Sequence, residues 1–175
     1  MRIAYKQKRK ELFMWNKIKP YLSKFALAIS IPIIVGLISA FLTRGGMDIY
    51  NELKTPPLSP PSWLFPIVWI ILYILMGISS ALVYINKEKD PKAAMQGLKY
   101  YAVSLAFNFL WSILFFNARL FLFSFVWLLG LLLLIILTIV NYKKVSPVAA
   151  YLQIPYAIWV IIAGYLNFGI WILNP

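Results

Sequence analysis

The chain has 175 residues, of which 62% are hydrophobic, 17% aromatic and only 13% charged, with a formal charge of +12. Soluble domains of this size carry about 25% charged residues, so lipid rather than water must solvate most of this surface. Cysteine and histidine are absent, which excludes disulfides, thiol nucleophiles, imidazole bases and the usual zinc and haem ligands.

A bilayer core of about 30 Å takes about 20 apolar residues as helix, and five stretches reach that length. Residues 1–19 form a basic arm. Residues 20–175 then read as one membrane domain with spans at about 20–42, 63–86, 93–116, 120–140 and 145–173. In lipid each backbone amide must be paired within its own segment. The expected class is therefore an all-α integral membrane protein, a five-transmembrane-helix bundle.

The first span carries one charge, Lys24, close enough to its start to snorkel. Its apolar run exceeds the 7–15 residues or so of a signal peptide, so an uncleaved anchor is expected. Residues 43–62 hold Gly45, Gly46, Pro56, Pro57, Pro60 and Pro61. Such density of breakers predicts an irregular loop throughout. Short hairpins at 117–119 and 141–144 place the third, fourth and fifth spans as antiparallel neighbours.

Charge sets the orientation. Arg2, Lys6, Lys8, Arg9, Lys10, Lys17 and Lys19 precede the first span, and Lys87, Lys89, Lys92, Lys143 and Lys144 join them on one side. The other side has only Arg44, Lys54 and Arg119. The positive-inside rule puts the N-terminus in the cytoplasm and the C-terminus outside. The same charge on a soluble chain would raise nucleic acid as a partner; interleaved with apolar spans it reads as topogenic, and the expected surroundings are a lipid bilayer.

No Asp or Glu lies inside any span, which argues against ion-coupled pumping. Acid–base catalysis finds no carboxylate pair or nucleophile elbow to use. What remains is aromatic density with a few neutral polar groups. In the second span Phe65, Trp69, Tyr73 and Met76 recur at helical spacing. In the third, Asn108 and Trp111 share a face, while Ala102 and Ala106 lie roughly opposite, about 200° from Asn108 at 100° per residue. Such a small-xxx-small pair permits close approach of a second helix.

In the fifth span Tyr156, Trp159, Ala163, Leu166, Asn167 and Ile170 make a third stripe, entered through Pro155, which predicts a kink or a 3₁₀ turn. Trp63 and Trp171, near span ends, fit an interfacial belt. Trp69, Trp111 and Trp159 lie deeper and fit either packing or the wall of an apolar pocket. Asn108 fits either a helix–helix hydrogen bond or a ligand contact.

Three segments resemble one known family. Leu53-Lys-Thr-Pro-Pro-Leu-Ser-Pro-Pro-Ser-Trp63, followed by Val68-Trp69, Tyr73 and Met76-Gly77, resembles the first loop and second helix of the TspO, or translocator protein, family. Asn108-Phe-Leu-Trp111 and Phe115-Phe116-Asn-Ala-Arg119 are similar to its third helix. Val145-Ser-Pro147, Ile154-Pro155-Tyr156, Trp159 and Leu166-Asn167 are similar to its fifth. The likeness runs from about residue 30 to 174.

The resemblance implies a homodimer, for which the Ala102 and Ala106 pair is the candidate interface, and a cavity bounded by spans one, two, three and five. By matching position Trp69, Asn108, Trp111, Trp159, Ala163 and Leu166 would line it, joined by Tyr73 and Tyr156 from the stripes. Pro60, Pro61 and Trp63 would cap it, and Arg44 and Lys54 would meet carboxylates at the mouth. The implied role is a receptor or sensor for porphyrin or haem, bound as ligand rather than as an obligatory cofactor; sterols are also family ligands. The alternatives are light-dependent porphyrin breakdown, with Trp69 and Trp159 relaying radicals, and facilitated transport. Leu166-Asn-Phe168-Gly-Ile-Trp171 departs from the cholesterol motif of animal members, with Phe for Tyr and no basic residue after Lys144. A bacterial-type protein of the cell membrane that handles tetrapyrroles is the expectation.

Overall fold

Long apolar runs give long helices here. The computed structural model describes the backbone of residues 2–175 and the side chains of residue 19 and of 21–175 except Met47. The side chains of the basic arm before Lys19 lie outside the described residues. Six α-helices follow in order: α1 (Arg2–Leu42), α2 (Gly46–Glu52), α3 (Leu64–Ile85), α4 (Pro91–Ser112), α5 (Phe121–Val145) and α6 (Pro147–Leu173). There is no strand among the described residues. Five stretches are long and apolar enough to span a bilayer: Tyr21–Leu42, Leu64–Ile85, Pro91–Asn117, Phe121–Val145 and Pro147–Leu173.

The helices form a ring in which α1 packs on α3, α3 on α6, α6 on α5 and α5 on α4. Only slighter contacts from α4 to α1 and α3 close it. The polarity is inverted relative to a soluble bundle. Leu27, Leu129, Leu133 and Ile161 face outward, while Ser79, Ser104, Asn108, Ser124, Thr138, Gln153 and Asn167 are buried. Lipid offers a polar group no partner, so these side chains turn inward and find one. Ser79 donates to the Ala149 carbonyl at 2.7 Å, and Gln153 donates to the Ser79 hydroxyl at 3.2 Å.

Local chemistry sets the boundaries. Asp90 caps α4 by accepting from the Ala93 amide at 2.9 Å, with Pro91 in the first turn. Ser146 caps α6 in the same way ahead of Pro147. The hairpin expected at 141–144 is helical instead, and a single residue, Ser146, separates α5 from α6. Lys143 and Lys144 sit in the last turn of α5, where positive charge suits the helix dipole, and Asn141 bonds back to the Leu137 carbonyl. Nothing there breaks the helix.

One further expectation is corrected. The loop 43–62 is not irregular throughout, because α2 forms ahead of its first proline, Pro56. Gly45, in the left-handed region at φ 87°, turns the chain into it. Of the two outcomes expected at Pro155, a kink or a 3₁₀ turn, the 3₁₀ turn is absent, and α6 continues past the proline.

The third span ends in one π-helical turn, Ile113–Asn117, with the Ala118 amide donating to the Ile113 carbonyl. The Asn117 amide then reaches the Leu42 carbonyl at 3.0 Å, satisfying an orphan group at the end of α1.

Close packing of α1 on α3 needs Gly77, where a Cβ would strike the backbone of Ile29. Backbone cannot yield as a side-chain tip can. Gly77→Ala should therefore destabilise the bundle by about 1–3 kcal/mol, read as a lower midpoint of thermal unfolding in detergent. A wild-type midpoint would show that the two helices are not held this closely.

Candidate functional site

Where α4 stands off from α1 and α3, a cavity of about 540 Å³ remains in the half of the bundle next to α2. Its α3 wall is Phe65, Pro66, Trp69, Ile70 and Tyr73. The expected second-span stripe therefore faces one chamber as far as Tyr73, and Met76 continues it into the fully buried core. Trp111, Ser112 and Phe116 come from the end of the third span, and the π-turn swings the Phe116 ring onto Gly46, where a Cβ would lie 2.8 Å from it. Bulges of this kind often mark functional positions.

The aromatic wall is held in place by contacts behind it. Trp69 stacks on Tyr73 at 5.4 Å between centroids and meets Tyr156 edge-on at 6.2 Å. Phe65 meets Trp159 edge-on at 5.7 Å. The Trp111 indole donates to Asn167 Oδ1 at 3.1 Å, and the Asn167 amide donates to the Phe121 carbonyl at 2.7 Å. Asn108 donates to the Tyr73 hydroxyl at 3.2 Å, while its own Oδ1 is buried with no protein partner.

Of the residues singled out from sequence, Trp69, Tyr73, Trp111 and Arg44 line this cavity. Tyr156, Trp159, Ala163 and Leu166 do not; they are buried one layer further in, with Phe65 and Trp69 standing before Trp159 and Tyr156. Asn108 supports Tyr73 from below and is likewise absent from the lining. The chamber is thus bounded by α1, α3, the third span and the first loop, and α6 serves as its backing.

Span one was expected at the cavity, but its lining residues were not named. Ile33, Gly36, Leu37 and Ala40 of α1 line the chamber, followed by Thr43 and Arg44, at helical spacing that the sequence displays. The signal was Gly36, Ser39 and Thr43, small or polar residues along an otherwise aliphatic span. Gly36 has a physical reason, since a Cβ there would collide with the Tyr73 ring. Leu37 and Ile70 line the cavity while 65% and 57% exposed, so the chamber opens on its α1–α3 side.

The loop divides its work. Thr43, Arg44, Gly45, Gly46 and Asp48 reach the cavity, giving its mouth one cation and one anion. Lys54, Pro60, Pro61 and Trp63 do not. Residues 53–63 instead form a strap tied to the end of α6. The Lys54 amide donates to Asn174 Oδ1 at 3.0 Å, Asn174 Nδ2 returns to the Lys54 carbonyl at 2.9 Å, and Tyr165 donates to the Pro57 carbonyl at 2.8 Å. Tyr50 of α2 donates to the Pro60 carbonyl at 3.2 Å. Burial raises the Tyr50 phenol above its usual pKa, which keeps it protonated as that donor. Trp63 projects outward, 65% exposed.

The strap has few ties, so each matters. Tyr165→Phe removes one hydrogen bond worth about 0.5–1.5 kcal/mol and should speed amide exchange across residues 53–63 by up to about tenfold. Exchange at the wild-type rate would mean that the strap is held by other contacts.

Comparison with known proteins agrees with this architecture. Residues 28–172 match the model of the TspO/MBR family. Protein CrtK of Rhodobacter capsulatus is 40% identical over 126 residues, covering 72% of this chain and 78% of that one. Tryptophan-rich protein TspO of Chlorobaculum tepidum is 38% identical over 151 residues, covering 86% and 95%. The translocator protein of Bos taurus is 36% identical over 146 residues, covering 81% and 84%. With five spans, an aromatic chamber beneath the first loop and these relatives, the chain is an integral membrane protein and belongs to the TspO/MBR family.

Proposed function

We propose that this protein is a membrane receptor or sensor whose chamber binds a flat, apolar, aromatic ligand of the tetrapyrrole class, protoporphyrin or haem. The observation that carries this reading is the wall itself: Phe65, Trp69, Tyr73, Trp111 and Phe116 surround about 540 Å³, with Arg44 at the mouth. Aromatic faces reward a flat ring system by stacking and burial, and Arg44 is placed to meet a propionate. The relatives' names, a tryptophan-rich sensory protein and translocator proteins, agree with a role in sensing or moving a ligand. Opening on the α1–α3 side supports entry from the lipid, where such ligands partition.

Ala102 and Ala106 are both exposed on α4, on the face away from buried Asn108, and there we place the contact with a second copy. The lysine-rich end of the bundle faces the cytoplasm of a bacterial cell membrane in this reading, which puts the chamber in the outer half of the bilayer.

Titrating purified protein with protoporphyrin IX and following tryptophan quenching tests the ligand. Trp69→Ala should weaken binding by about tenfold, since it removes an indole from the chamber wall. Trp159→Phe, behind Phe65, should cost less. Unchanged affinity in the Trp69 variant would remove the assigned chamber.

Light-dependent porphyrin breakdown is the second reading, and it is favoured by Trp69 sitting in the wall against Tyr73. It needs no acid or base, only excited porphyrin, oxygen and an oxidisable side chain nearby. Under aerobic illumination the Soret band of the complex should bleach faster than that of free porphyrin in detergent. Equal rates would dismiss this activity and leave binding untouched.

A further inference from the structure

Away from the chamber, at the lysine-rich end, two cations converge on one ring. The Lys24 ammonium lies 5.7 Å from the centroid of Tyr84 and 5.8 Å from that of Tyr21. Lys87 places its ammonium 4.9 Å from the same Tyr84 ring. Lys24 comes from α1 and Tyr84 from α3, so the group bridges two helices where they leave the bilayer.

Among the described residues neither lysine is ion-paired. Asp90, one of the few acids at this end, is committed to the cap of α4. A tyrosine face stabilises a cation only modestly at an exposed site, and two ammonium groups over one ring repel each other. Such an arrangement is completed by an anion between the two charges.

The surface running away from Lys24 says which anion. Leu27, Ile31, Ile34 and Ile38 lie on the same face of α1 as Lys24, at steps of three and four residues, and are 65%, 48%, 52% and 48% exposed. An ammonium pair at the interface heads a continuous aliphatic stripe directed into the bilayer. That is the complement of a phosphate on an acyl chain.

We propose that Lys24, Lys87 and Tyr84 form a site for the headgroup of an anionic phospholipid whose acyl chain lies along Leu27, Ile31 and Ile34. The site is separate from the tetrapyrrole chamber, whose α1 residues begin at Ile33 and face α3 and α4. It ties lipid composition to the α1–α3 pair that forms one side of the chamber.

Native mass spectrometry of the full chain from micelles holding equal phosphatidylglycerol and phosphatidylcholine tests the proposal. Phosphatidylglycerol should be retained over phosphatidylcholine, and K24Q/K87Q should lower its retention by about tenfold. K143Q/K144Q removes the same charge from the end of α5 and should leave retention unchanged. Equal retention of the two lipids overturns the site. So does an equal loss in both double variants, which would show a diffuse basic field in place of a site. Displacement of the lipid by millimolar inorganic phosphate would show an anion site that does not recognise lipid, and would overturn the assignment to phospholipid. A wild-type unfolding midpoint for K24Q/K87Q confirms that lost retention reports the site and not the fold.

Discussion

The requirement that polar groups be paired inside a chain surrounded by hydrocarbon governs this architecture. Its clearest expression is the bridge from Trp111 through Asn167 to the Phe121 carbonyl. One carboxamide uses its oxygen for the indole of α4 and its nitrogen for the Phe121 carbonyl in the first turn of α5, which also accepts from Ser124, while itself belonging to α6. Lipid would leave the indole and the carboxamide unsatisfied, each at a cost of several kcal/mol. Three helices are thereby fixed at one level, and Trp111 is fixed as a cavity wall rather than a mobile side chain. The same logic places Tyr73 through Asn108.

The cavity follows from what the other helices do. Gly77 admits α1 onto α3, Gly36 admits the Tyr73 ring, and α5 and α6 pack extensively on one another. α4 packs on α5 and touches α1 and α3 only slightly. Large rings then occupy the gap without filling it: Phe65 and Trp69 from one side, Trp111 and Phe116 from the other. The π-turn is part of this geometry, because an ordinary helical continuation would rotate Phe116 by about 100° per residue of displaced register and draw it away from Gly46.

The fold was legible in the sequence because hydrophobic length is a strong signal. The spans were placed within a few residues wherever a proline and a capping residue stood at the boundary, as at Asp90-Pro91 and Ser146-Pro147. They were misplaced where helix propensity ran on unopposed, as from Asn141 to Val145. The cavity was half legible. Aromatic side chains at helical spacing revealed the α3 wall, but spacing alone does not tell which of two aromatic layers meets the void. Trp69 and Trp159 look equivalent in sequence, yet Phe65 stands in front of only one of them. The π-turn left no trace in composition.

That layered arrangement separates two duties that the sequence runs together on α6. Its buried face backs the chamber with Tyr156 and Trp159, and its C-terminal end holds the strap through Tyr165 and Asn174. The chamber's own loop residues, Thr43 to Asp48, lie upstream of the strap and are anchored separately, by Asn117 on Leu42 and by Phe116 on Gly46. A strap released from α6 would therefore leave the chamber wall standing. The strap and the chamber wall thus rest on different contacts: hydrogen bonds at the end of α6 hold the first, and packed rings hold the second. Ring packing does not depend on hydrogen bonds, so conditions that compete for hydrogen bonds act on the strap first.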